Sequence, residues 1–154
     1  EEALAKAEDF LQAHGYSDMA PGYWTKEEGS LLISYHAAQE GVVCYPDLIK
    51  VRVGLASGRI VGFEARGYLM SHRTRELAEP IPVEEARSAV APGLTVLGER
   101  LAIIPTEGKA EKLCWEFTCA DGEGTHFVVY ADAATGAETK LLLLLEDENG
   151  TLVY

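Results

Sequence analysis

The chain has 154 residues, with 13 basic and 25 acidic side chains for a net charge of −12, and its 47% apolar and 25% charged content is that of a folded protein of one domain or two small ones. At a pI near 4.7, tracking of a nucleic-acid backbone is excluded, because the carboxylates repel phosphate before the cations can neutralise it. The longest aliphatic run, residues 141–145, falls far short of the roughly 20 residues of a membrane-spanning helix.

The sequence opens at Glu1 rather than at a methionine, and a piece of a longer chain is expected. Leu4, Ala7, Leu11 and His14 fall at helical spacing beside Ala3 and Phe10, with Gly15 as the stop. From Tyr23 onward the period changes to two. Leu31, Ile33 and Tyr35 form one alternating set, Ile49, Val51, Val53 and Leu55 a second, and Val61, Phe63 and Ala65 a third. A three-residue loop with a left-handed Gly58 pairs Val53 with Val61, Val51 with Phe63 and Lys50 with Glu64, which keeps both faces consistent. Lys50, Arg52, Glu64 and Arg66 then form a mixed-charge strip, read as a solvated cross-strand ladder. Pro46 lacks a backbone donor, so the strand is expected to begin there or to lie at an edge. Tyr45 and Tyr68 are expected at one end of the hairpin, near Tyr16, Tyr23 and Trp24.

A polar, proline-bearing linker over residues 71–82 leads to a short helix marked by Val83, Ala86 and Val90, with Glu84 and Glu85 at its N-terminus and Pro92-Gly93 as its stop. Strands are expected over residues 94–104, 111–119, 125–131 and 137–146. The hairpin from Val129 to Leu141 lies 78 residues after that from Val51 to Phe63, and the shifted register pairs Val129 with Leu141 and Phe127 with Leu143. Leu31, Ile33 and Tyr35 recur as Leu113, Trp115 and Phe117. The pattern is an internal duplication, helix then antiparallel meander, with units at residues 1–78 and 79–154.

Catalytic signatures are sparse. Cys44, Cys114 and Cys119 have no Cys-x-x-Cys spacing and read as small buried hydrophobes. His14, His36, His72 and His126 share no metal-ligand spacing; His14 suits a helix end, His36 and His126 are expected toward solvent or a sheet edge, and His72 lies in the linker. There is no nucleophile elbow, phosphate loop or dinucleotide fingerprint. Asp132 and Glu138 are expected to face one another across the second hairpin, Asp132 fixing the turn and Glu138 pointing to water.

The helix-then-strands order, with Asp132-Ala133-Ala134-Thr135-Gly136 at the last hairpin, resembles the PepSY domain. The segments Phe10 through Tyr16, Tyr45 through Val51, Gly62 through Met70, Arg100 through Thr106, Phe127 through Tyr130 and Asn149 through Leu152 are, in that order, similar to the C-terminal region of the YpeB family of sporulation and germination proteins. The resemblance implies an α+β fold of two tandem PepSY-like units, each a helix packed on an antiparallel sheet. It implies a non-catalytic, extracytoplasmic binding module from a spore-forming Firmicute, without a cofactor, that stabilises, localises or regulates a SleB-like cortex-lytic hydrolase. Peptidoglycan is a further possible partner, and the place is the spore inner membrane or cortex region, with a membrane anchor upstream of Glu1. A peptidase inhibitor or propeptide-like module is the alternative, and a hydrolase using Asp47 and Glu64 a third reading. For a surface binder, Tyr45, Pro46, Asp47, Arg66 and Tyr68, followed by His72, Arg73 and Arg75, form a locally basic patch with interface-type anchors.

Overall fold

The stripe Leu4, Ala7 and Leu11 winds into α1 (Glu2–Ala13). A Schellman-type end closes it: Gly15 takes φ +84°, its N–H donates to the Gln12 carbonyl at 3.1 Å, and the Tyr16 N–H donates to the Leu11 carbonyl at 2.9 Å. The computed structural model describes residues 1–147 and 149–153 and is α+β, mostly sheet with few helices. The further elements are β1 (Met19–Glu27), β2 (Ser30–Gln39), β3 (Val42–Gly54), β4 (Ile60–Glu64), α2 (Arg66–Ser71), α3 (Val83–Ala86) running on as a 3-10 turn over Arg87–Ala89, β5 (Thr95–Pro105), β6 (Glu111–Ala120), β7 (His126–Asp132), β8 (Glu138–Asp147) and β9 (Gly150–Val153). The chain divides into two compact units, one of residues 1–73 with 146–152, the other chiefly of residues 74–145. Among the described residues no helix is long and apolar enough to cross a membrane.

In the first unit β1 to β4 form an antiparallel meander. Ala7 and Leu11 of α1 close over Ile33 and Tyr35 of β2 and Ile49, Val51 and Val53 of β3, all fully buried or nearly so. In the second unit β5 to β8 form another meander. Ala86 of α3 packs there on Phe117, Cys119, Val129 and Ala131. All three cysteines are free and buried, as expected of small hydrophobes, and burial pushes the Cys114 thiol up to about 11.

The two hairpins 78 residues apart share their turn bond for bond. Gly58 N–H donates to the Gly54 carbonyl at 2.8 Å, Gly54 N–H to the Arg59 carbonyl at 2.9 Å, and Arg59 N–H to Ser57 Oγ at 3.3 Å. In the second turn Gly136 N–H donates to the Asp132 carbonyl at 2.7 Å, Asp132 N–H to the Ala137 carbonyl at 2.8 Å, and Ala137 N–H to Thr135 Oγ1 at 3.3 Å. Gly58 and Gly136 both adopt the left-handed backbone, at φ +62° and +74°.

Each turn is followed by the same register shift, which corrects two expected pairings. Val53 meets Ile60 rather than Val61, and Ala131 meets Glu138, so Asp132 and Glu138 do not face one another. The bulge turns Ile60 toward the core and leaves Val61 58% exposed. The other expected pairs, Lys50 with Glu64, Val51 with Phe63, Phe127 with Leu143 and Val129 with Leu141, are present. The equivalence of Ile33 with Trp115 is also corrected. Ile33 pairs with Val51 and Phe117 with Val129, so Phe117 occupies the place of Ile33. A slip of two residues preserves every inward-facing position, and alternation alone does not reveal it.

Replacing Gly58 by alanine is expected to cost about 1–2 kcal/mol, the penalty of a side chain in the left-handed region. Gly136→Ala is expected to cost more in a urea melt, because its new Cβ meets Ile81 Cδ1 at 3.1 Å whereas a Cβ added at Gly58 meets nothing within 4 Å. Burial pushes the Tyr35 phenol up to about 12, from an ordinary value of 10. The folded state therefore holds this proton more tightly than the unfolded state. Its contribution to stability is complete below pH 10 and lost as the pH rises toward 12, and alkaline melts of Tyr35→Phe are expected to lack this part of the slope.

Candidate functional site

Strand β3 runs straight through Pro46, so the proline neither starts the strand nor confines it to an edge. The register jumps from His36 opposite Leu48 to Ala37 opposite Cys44, and Tyr45, Pro46 and Asp47 loop out of the β2 ladder together. The missing proline donor is therefore placed where no ladder bond is required. His36 stabilises the loop-out: its Nδ1–H donates to the Tyr45 carbonyl at 3.1 Å, and its ring meets that of Tyr45 edge-on at 4.7 Å. His36 is thus buried rather than turned to solvent. Gly22 leaves room for the imidazole, since a Cβ there would approach His36 Nε2 to 3.0 Å.

The same loop-out buries Asp47 completely. Its Oδ2 accepts a hydrogen bond from His72 Nδ1–H at 2.8 Å, and the His72 side chain is half-exposed. His72 caps α2, an element not expected from the sequence, so Arg66 and Tyr68 lie on a helix rather than at a strand end. Gly67 is why that helix can sit against the strand: a Cβ would meet the Leu48 carbonyl oxygen and Cβ at 3.0 Å. Tyr68 stacks on His72 with ring centroids 4.2 Å apart and meets Tyr16 edge-on at 5.1 Å, and Tyr16 in turn meets Phe63 at 5.7 Å. Burial, with the nearby Asp47 charge second, holds the Tyr68 phenol above its ordinary value.

The eight patch residues therefore separate. Asp47, Tyr68 and His72 form one cluster between β3 and α2. Tyr45 and Pro46 are half-buried in the loop-out, with the Tyr45 ring against His36. Arg66 and Arg73 are exposed, and the Arg66 backbone N–H donates to Glu64 Oε1 at 2.8 Å. Arg75 does not belong to an exposed patch. It is buried within the second unit, where its Nε and Nη2 donate to the two oxygens of Glu111 at 2.8 and 2.9 Å. Sequence reasoning misses Gly67, Leu69 and Met70 as residues of the site. The available signal was an isolated glycine ahead of two large apolar residues, a mark of close backbone approach.

Asp132 and Glu116 are held in structural pairs. Asp132 accepts from Ala134 N–H at 2.8 Å and pairs with Lys112 at 2.9 Å, and Lys112 is the chief cause of its lowered pKa. Glu116 is buried and accepts from Arg100 Nε at 2.6 Å and Tyr130 OH at 2.7 Å. Among the described residues no group of three or more histidine, cysteine, aspartate or glutamate side chains could hold a metal ion.

His72→Ala is expected to lower stability by about 1–3 kcal/mol, the cost of removing a partner from a buried polar group, and to speed amide exchange in α2. Asp47→Asn is expected to move the Tyr68 phenol back down toward 10, read by ultraviolet titration.

A family model described as YpeB sporulation, PepSY1 and PepSY2 domains matches residues 1–78. Among curated proteins, the sporulation protein YpeB of Halalkalibacterium halodurans is 34% identical over 96% of this chain and 33% of its own length. That of Bacillus subtilis is 37% identical over 71% of this chain and 24% of its own. The chain thus spans a quarter to a third of the length of these relatives. Among solved structures, the Bacillus megaterium YpeB C-terminal domain superposes with a TM-score of 0.84 at 31% identity, covering 94% of this chain and 65% of that one. The chain belongs to the YpeB sporulation family.

Proposed function

We propose that this chain is a non-catalytic, extracytoplasmic protein-binding module of a sporulation protein, made of two tandem PepSY-like units, that stabilises, localises or regulates a cortex-lytic hydrolase of the SleB type. The observation that carries this reading is family membership together with the way the polar groups are spent. Asp47 is bound to His72, Glu64 to the backbone of Arg66, Asp132 to Lys112 and its own turn, and the thiols are buried. Those pairs stabilise loops and helix ends and leave recognition to surface shape and charge. The bond-for-bond recurrence of the two turns supports descent of the units from one ancestral helix and meander. In the full-length protein the module is placed at the spore inner membrane or cortex region by an anchor outside this segment, with peptidoglycan as a possible second contact.

The test is direct. The purified chain is expected to bind a SleB-like hydrolase in isothermal titration calorimetry and to protect it from proteolysis, while releasing no product from cortex by itself. Binding to a peptidase in its place, or cortex cleavage abolished by Asp47→Asn, would contradict the proposal.

A further inference from the structure

The inner side of α2 is committed to the fold, through Gly67 on Leu48, Tyr68 on Tyr16 and His72 on Asp47. Its outer side is not. Leu69 and Met70 are 73% and 74% exposed, the highest values among the exposed large hydrophobic side chains of the described residues. Arg66 precedes them by one helical turn, and Arg73 follows directly after the His72 cap; both are exposed. Two adjacent apolar side chains are thus bracketed by two cations, on a chain whose net charge is −12.

We infer that the outer face of α2 is a docking surface for a short acidic segment of a protein partner, one that brings two or three apolar side chains onto Leu69 and Met70 and carboxylates onto Arg66 and Arg73. The inference rests on the protein-binding reading above and names the chemistry of the partner. Charge complementarity selects the occupant: guanidinium groups prefer the planar, bidentate carboxylate. A chain this acidic is repelled as a whole by an anionic bilayer and by another copy of itself, whereas a short segment meets only the local field. The size agrees, since six helical residues span about 9 Å, the length of one or two turns of a docked peptide. Methionine, flexible and polarisable, adapts to such a contact. The Asp47–His72 bond and the stacked Tyr68 hold the helix in place, so little order has to be gained on binding.

The experiment pans a phage-displayed random peptide library on the intact chain and, separately, measures binding of a purified SleB-like hydrolase. Enriched peptides are expected to be acidic with at least two apolar residues. Their affinity is expected to fall tenfold or more in Leu69→Ser/Met70→Ser and in Arg66→Glu, with the thermal melt of the Leu69→Ser/Met70→Ser variant unchanged because both side chains are exposed. Peptides that are not enriched, that are basic, or that bind both variants as well as the original chain overturn the inference. So does adsorption to phosphatidylglycerol vesicles, or self-association in sedimentation, that disappears in the Leu69→Ser/Met70→Ser variant. The hydrolase arm reports on the other reading: peptides that dock on α2 while the hydrolase fails to bind retain this surface and reject that partner.

Discussion

A proline in the middle of a strand is the constraint on which the first unit depends. Pro46 has no N–H to donate to a ladder, and the chain accommodates it by displacing three residues from the β2 pairing rather than by ending the strand. That displacement brings the Tyr45 carbonyl within reach of His36 and drives the Asp47 side chain inward, where it is fully buried. A buried carboxyl group is costly without a partner, and His72 supplies one from the far end of α2. One backbone irregularity thus specifies where the short helix docks, and Gly67 makes the approach sterically possible. A six-residue helix has no independent stability, so its position is set by these tertiary bonds.

The two turns show the other side of the same economy. Both use a left-handed glycine and a hydroxyl side chain to bond the backbone, and both introduce the same one-residue shift. They differ at the residue that opens the turn. Gly54 adds no side chain, whereas Asp132 adds a bond to Ala134 and an ion pair with Lys112. The acidic position that makes the second turn resemble a PepSY hairpin is therefore structural here, and its lowered pKa follows from the Lys112 ammonium and the backbone donors around it. At Asp132 the lowered pKa reports a fixed turn.

Much of this fold was legible in the sequence because its signals are periodic. The apolar stripe of α1, the alternation along β2, β3, β6 and β7, and the Lys50–Glu64 and Val129–Leu141 registers follow from side-chain spacing and turn chemistry. What sequence reasoning missed breaks periodicity. The loop-out at residues 45–47 and the bulge after Arg52 add residues without changing which side chains are apolar, so pairing Val53 with Val61 looked as sound as pairing it with Ile60. Helix α2 was hidden because its inward contacts are polar and aromatic, Tyr68 and His72, while its most apolar residues face outward. The candidate site was legible as a neighbourhood: Asp47, Tyr68 and His72 do come together. Its division into an inner framework and an outer face requires the helix, and Arg75, adjacent in sequence, is drawn into a buried pair with Glu111.

The proposed role is recognition of a partner by a surface held in place through β3 and α2. The most direct measurement is a nitrogen-15 chemical-shift titration of the chain with an unlabelled SleB-like hydrolase. The account predicts that the largest changes cluster at residues 63–73, with the Asp47–His72 bond intact throughout. Changes centred instead on the Asp132–Lys112 turn, or spread without focus over both units, would contradict it.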